Sequence, residues 1–298
     1  MPYVNPALIP TGAGGHSTIR VANRNDALGQ VGRGDDGAFR NVCDFSHMNF
    51  DDPLVFPGQR NATHLHAYFG NTGVDHRSTN ESIASSGNST CRGGIINRSA
   101  YWVPAIIDTR DGRPIAPSVL SVYYKSGWSH PPHEIQPHPS GLRMIAGDPR
   151  ATSGQGNVWY ACGEEGRTQR SIPAGCPRGQ EVIMSISFPQ CWNGRDLDSP
   201  DHRSHMAYPG DRGCPSSHPI PLPHITYNVL FPVRSGDDTG RWRLSSDMYP
   251  TNQPGGYSGH ADWWDGWIPE FRDEWTENCT TKYVSCHSHL LGPGREMY

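Results

Sequence analysis

No run of apolar residues in this 298-residue chain approaches the length needed to cross a bilayer. Charge is scarce as well: 18% of residues are Asp, Glu, Lys or Arg, and the balance is −4 at pH 7. A nucleic-acid partner calls for a basic face, which this composition does not supply. The short motifs of several common chemistries are missing. There is no GxSxG elbow, no HExxH pair, no P-loop and no GxGxxG opening a helix. No segment holds apolar residues at i, i+3 and i+4 over three turns, which argues against a helical bundle. Met1 is not followed by a basic and then an apolar stretch, so the chain reads as a form without its export signal.

What is abundant is punctuation. Glycine (34) and proline (27) break the chain into short segments. Between them lie β-branched and aromatic runs at Ala100–Ile107, Ser118–Lys125, Val158–Cys162, Val182–Phe188, Ile225–Phe231 and Trp242–Leu244. One short helix is expected over Ile268–Cys279, with an early proline and acids in the first turn. These features predict a mainly β fold, an antiparallel β-sandwich or jelly-roll with long loops. The expected organisation is an irregular arm at 1–38, a single β-rich domain at 39–286 and a loose tail at 287–298.

Eight cysteines, an even number without a CxxC pair, favour disulfides over zinc and place the chain in an oxidising, extracellular setting. Spacing leaves the connectivity open. The simplest local pairs are Cys162–Cys176, Cys191–Cys214 and Cys279–Cys286, leaving Cys43–Cys91 over a longer loop. Five N-x-S/T sequons, at Asn61, Asn80, Asn88, Asn97 and Asn278, agree with secretion. With every cysteine assigned to a bridge, a cysteine nucleophile is not expected.

Four polar segments can carry chemistry. In residues 61–71, His64 and His66 share a face if the segment is a strand, because side chains alternate with period two. Residues 191–214 place Asp196, Asp198, Asp201, His202 and His205 in a loop closed by Cys191 and Cys214. A closed loop rich in titratable groups suits a pre-organised acid–base pair or a set of metal ligands. In residues 257–267, His260 and Asp262 alternate on one face beside Trp263, Trp264 and Trp267. Indole rings next to hydrogen-bonding groups suit sugars, whose C–H faces stack while their hydroxyls pair. Trp192 and Tyr257 extend that aromatic set, and Arg92, Arg98, Arg143 and Asp148 lie in neighbouring polar stretches. By contrast, His130, His133 and His138 fall in a proline-rich run expected to be an exposed loop.

The segments FRNVCDFSHMNFDDPLVFPGQRNATHLHAYFGN, STNESIASSGNSTCRGGIINRSAYWVPA, GLRMIAGD, FPQCWNGRDLDSPDHRSHMAYP and CPSSHPIPLPHITYNV resemble a secreted domain-of-unknown-function family over residues 39–286. That family is abundant in fungi, present in bacteria and often fused to WSC-type or ricin-type carbohydrate-binding modules. The resemblance implies a glycan partner by association only.

The leading expectation is an extracellular enzyme that cleaves a polysaccharide, as a glycoside hydrolase or a lyase. The catalytic residues expected are Asp198, His202, His205, His64 and Asp262. As a hydrolase, two of Asp196, Asp198, Asp201 and Asp262 would flank the scissile bond. As a lyase, a His or Tyr would take a proton α to a uronate carboxylate, which an Arg or a metal neutralises. Substrate contacts are expected from Trp192, Trp263, Trp264, Tyr257, Arg143 and Arg92, and a divalent metal from His64, His66 and His260. Two alternatives stand beside this: a non-catalytic glycan-binding or cell-wall structural protein, and a copper-dependent oxidative enzyme. The site is expected to be real if His64, His66, Asp198, His202, His205 and His260 meet in one cleft; if they scatter, the binding or structural reading takes its place.

Overall fold

Ten strands form one continuous sheet, and a single long strand is its spine. The computed structural model describes residues 1–23, 37–127 and 129–298. The strands are β1 (Ala38–Asn49), β2 (His66–Gly70), β3 (Ala100–Pro104), β4 (Val119–Lys125), β5 (Arg143–Gly147), β6 (Val158–Cys162), β7 (Glu181–Ser187), β8 (His224–Pro232), β9 (His260–Trp264) and β10 (Ser285–Ser288). Nine run in the order β5-β9-β3-β2-β1-β4-β8-β7-β6, and β10 pairs in parallel with β1. The other neighbours along this order are antiparallel.

The sheet folds over at β1. Its first half, Ala38 to Asp44, pairs with β4, and its second half, Phe45 to Asn49, pairs with β2. Between Phe45 and His47 the register slips. Such an irregularity bends a strand and changes which side chains face inward. Core positions accordingly shift from Phe39, Cys43 and Phe45 to Met48. The two halves then face each other as a sandwich. The Tyr101 and Tyr227 rings meet across it at 5.8 Å, and the Tyr227 hydroxyl donates to the Asp262 carbonyl at 2.9 Å. Phe39 stacks on Trp275 at 4.9 Å at one end, where the helix α1 (Pro269–Trp275) closes the core.

The halves differ in what covers them. On β4, buried Leu120, Val122 and Tyr124 alternate with partly exposed neighbours, so one face meets water. On β2, β3 and β9 every residue is buried. Loop residues from 50 to 99 roof the outer face of this half, where Leu54, Val74 and Ile83 pack on Tyr68, Trp102 and Trp264. A second core therefore lies outside the first, and the histidine strands sit between them.

All four disulfides pair as the spacing suggested: Cys43–Cys91, Cys162–Cys176, Cys191–Cys214 and Cys279–Cys286. Three expectations need correction. The tail is not loose: Leu290–Gly292 and Arg295–Met297 pair with each other, and the latter also with Val21–Asn23, burying Met297. Of the arm expected at 1–38, residues 24–36 lie outside the described residues. The run Ala100–Ile107 is two strands, because after Pro104 the chain leaves the main sheet and Ile106–Asp108 joins a separate three-stranded one. Finally, His138 is not exposed. It is buried against Trp263, with ring centroids 4.9 Å apart.

Buried neutral imidazoles link stability to pH. Burial, aided by Arg272, pushes the His138 pKa down to about 3; burial, aided by Lys125, pushes His224 down to about 4. Unfolded, both bind a proton below about 6.5. The unfolded state therefore holds more protons between pH 6.5 and 4, and stability falls as pH falls through that window. Shifts of this size correspond to roughly 3 kcal/mol for His224 and roughly 5 kcal/mol for His138. Urea midpoints measured from pH 7 to pH 4 should decline steadily, and more shallowly in His224→Gln; a flat profile contradicts the burial of neutral rings.

Candidate metal centre and its cleft

The register of the roofed half-sheet sets the site. Tyr68 lies opposite Trp102, Trp102 opposite Asp262, and Asp262 opposite Ile145, so these four form a row across β2, β3, β9 and β5. Two residues before Tyr68 is His66, and two before Asp262 is His260. Period-two alternation puts both histidines on the face that carries the row. His64 is not in the strand; it lies on the bend before β2, and the bend still turns it inward. Its ring centroid is 4.2 Å from that of His66 and 5.0 Å from that of His260.

The ring nitrogens are sorted by their partners. His66 Nδ1 donates to the Asp51 carbonyl at 3.0 Å, and His260 Nδ1 donates to the Ser258 carbonyl at 2.8 Å. A carbonyl only accepts, so both rings carry their proton on Nδ1 and turn an Nε2 lone pair inward. His66 Nε2 is buried without a partner. His64 Nε2 and His260 Nε2 stand 3.2 Å apart, and His64 Nδ1 is 3.1 Å from the Thr63 hydroxyl. Such a close nitrogen pair needs a proton or a cation between its atoms. Two imidazole nitrogens bound at about 2.0 Å to a tetrahedral ion are themselves about 3.3 Å apart. Donation of Nδ1–H to a backbone carbonyl is also the arrangement that orients metal-ligating imidazoles.

Two carboxyls complete the floor. One ligand atom each from Asp52, His66 and Asp262 lie within 4.8 Å of one another, as do the three imidazole nitrogens. Asp262 Oδ2 is buried and unpartnered. Burial, with Asp52 nearby, raises the Asp262 pKa well above the carboxylate range; burial also raises Asp52, against two backbone N–H donors and the pull of His260. Burial lowers His66 and His260 to about 4, with His66 adding to the effect on His260. Burial and its two imidazole neighbours push His64 down as well. The floor thus offers neutral nitrogens and carboxyls that gain most from a cation beside them.

Asp51 braces the loop that brings His64 in. Burial acts to raise its pKa, but donation from the Asn61 and His76 backbone and the His76 ring holds it below the ordinary value. Its carbonyl also accepts from the Tyr68 hydroxyl at 2.6 Å.

Above the floor opens a cleft of about 880 Å³, lined in part by Asp52, His64, His202, Arg203, His260 and Asp262. His202 arrives on the loop pinned by Cys191–Cys214. Arg143 lies over the Trp264 ring at 4.0 Å and bonds Asp198 at 3.0 Å; Asp198 in turn accepts from His202 Nδ1 at 2.9 Å. His202 has φ of 57°, a left-handed conformation that costs energy in a non-glycine residue.

Other expected residues take structural places. His205 is buried and bonds Ser199 and the Arg143 carbonyl, so it struts the loop outside the cleft. Asp196 pairs with Arg195, and Asp201 caps its own turn through Ser199, Ser204 and the Arg203 N–H. Trp263 and Trp264 are 0% and 1% exposed in the two cores and offer no stacking face. Trp267 is core too. Trp192 is half-buried and donates to the Asp196 carbonyl; Tyr257 packs on Tyr249; neither lines the cleft. Arg92 is exposed elsewhere, near His289. Three charged cleft residues carried no sequence expectation: Asp52, Arg150 and Arg203. Asp52 sits before a proline and receives the Leu54 and Val55 N–H groups, which reads in sequence as an ordinary turn.

The family model DUF1996, a domain of unknown function, matches residues 52–267. The chain belongs to this family. The DUF1996 match is narrower than the 39–286 resemblance, yet it runs from Asp52 past Asp262 and so contains the whole floor and His202. It leaves out β1, the spine of the sheet. No curated protein and no solved structure matches the chain.

Proposed function

We propose that this DUF1996 protein is an extracellular, metal-dependent enzyme that cleaves a polysaccharide, by hydrolysis or by elimination. One observation carries the reading: ring nitrogens of His64, His66 and His260 converge within 4.8 Å of one another beneath a large cleft that His64 and His260 line. A divalent cation held there would supply Lewis-acid charge stabilisation and lower the pKa of water. His202, set by Asp198 and Arg143, faces the same cleft as a general base. The association of similar domains with WSC-type and ricin-type modules agrees with a glycan target. A purely binding role has less support, because the tryptophans that would stack on sugar are core residues.

The test is metal analysis of purified protein together with reducing-end and unsaturated-product assays on a polysaccharide panel. Stoichiometric zinc, manganese or a similar ion with product formation supports the proposal. Bound copper with oxidised products points instead to an oxidative enzyme. Absence of both metal and product refutes it.

Secretion through a glycosylating pathway gives a further expectation. Asn61 is exposed at the cleft rim, whereas Asn97 is fully buried and donates from its amide to the Tyr101 hydroxyl at 2.8 Å. Peptide mass spectrometry after expression in a glycosylating host should find glycan on Asn61 and none on Asn97. Occupancy at Asn97 contradicts this assignment.

A further inference from the structure

Two exposed arginines in the cleft have no acid partner. Arg150 and Arg203 both line the cleft, and among the described residues neither guanidinium has a hydrogen bond or ion pair. Some guanidiniums elsewhere are tied, as Arg77 is to Asp75, Arg110 to Asp108, Arg113 to Asp237 and Arg295 to Glu274; others on the surface are free, and what sets Arg150 and Arg203 apart is that their free side chains line the cleft. Asp148 and Asp201 line the same cleft, but Asp148 accepts the Arg150 backbone N–H, and Asp201 is turned onto Ser199, Ser204 and the Arg203 N–H. Each acid thus secures the backbone of an arginine whose side chain stays free. The Arg203 charge reaches the floor, where it acts on Asp262 and His260. Beside them Val55, Phe56 and Ile145 give the cleft an apolar wall.

From this arrangement we propose that the substrate is an acidic polysaccharide whose sugar rings carry carboxylates, and that it is cleaved by β-elimination. The proposal rests on the metal-dependent reading of the same cleft. Planar guanidiniums bind carboxylates through paired N–H donors, so Arg150 and Arg203 hold and neutralise the substrate carboxylate. That neutralisation acidifies the C–H next to it. His202 Nε2, which has no partner among the described residues, takes this proton. The C–H electron pair becomes a double bond to the neighbouring ring carbon, the bond from that carbon to the glycosidic oxygen breaks, and the departing oxygen takes up a proton. No water is consumed and no oxidant is needed. Asp198, held by Arg143, steadies the imidazolium as it forms.

The experiment uses the full chain supplied with the divalent ion it retains. It is assayed on a polyuronate, on the same polymer after carboxyl reduction, on a sulfated neutral polymer and on a neutral β-glucan. The expected product is an ultraviolet-absorbing unsaturated uronate, formed from the polyuronate alone. Arg150→Gln and Arg203→Gln should each raise KM about tenfold or more, with bound metal unchanged. Equal turnover of the reduced polymer, cleavage of the sulfated or neutral polymer, or a double variant with unaltered KM overturns the acidic-substrate inference. In those cases metal-dependent cleavage itself would stand. Loss of product on every polymer together with failure to bind metal would refute both.

Discussion

His202→Asn should lower turnover by about two to four orders of magnitude while leaving fold and bound metal intact. Removal of a positioned general base has an effect of that size. Asparagine is the informative replacement, because His202 sits at φ 57° and asparagine adopts this left-handed region more readily than most residues. A drop in activity therefore reports the lost imidazole rather than a refolded loop. The Cys191–Cys214 bridge, the His205 strut and the Asp201 cap remain to hold the loop. Asp198→Asn should cost less. It keeps the shape of the Arg143–Asp198–His202 chain but removes the charge that favours the imidazolium and fixes its tautomer. Steady-state kinetics with a thermal melt on each variant decide the matter. Wild-type turnover in His202→Asn at an unchanged melting temperature removes His202 from the chemistry.

How much of this could be read from the chain depends on which face of the sheet a residue occupies. The strands β4, β7 and β8 meet water on one side, so their alternation showed in sequence and their boundaries fell within a residue or two. Within β2 and β9 every residue is buried, so alternation is replaced by continuous burial. There His66 and His260 were found by their period-two spacing from His64 and Asp262; burial on both faces adds a signal the spacing did not carry, since an imidazole in a strand covered on both sides needs a reason. The spine β1 was missed because its register slip breaks the pattern near Phe45. The tryptophans misled for the opposite reason. A large indole suits a core as well as a sugar, and only the roof formed by residues from 50 to 99 decides which. Arg150 and Arg203 gave no sequence signal, because an unpaired arginine is visible only once its neighbours' hydrogen bonds are known.

His66→Ala should abolish metal-dependent stabilisation, and this separates a metal centre from a buried polar cluster. A ligand that binds only the folded state stabilises it by about 4 kcal/mol when present at a thousand times its dissociation constant. Wild-type protein should therefore melt several degrees lower after treatment with a chelator and recover when a divalent ion is restored. Isothermal titration should give one ion per chain. Without His66 the remaining pair, His64 and His260, keeps its 3.2 Å approach but loses the third nitrogen, so affinity should fall by at least a hundredfold and chelator should no longer change the melt. His47→Gln is the matched control. His47 stacks on Tyr68 at 4.8 Å and bonds the Val74 carbonyl, near the centre but outside the trio. Its variant should be somewhat less stable yet still respond to chelator. If His47→Gln and His66→Ala respond alike, or if the wild-type melt ignores chelator and added ion, the close nitrogens share a proton instead of a cation.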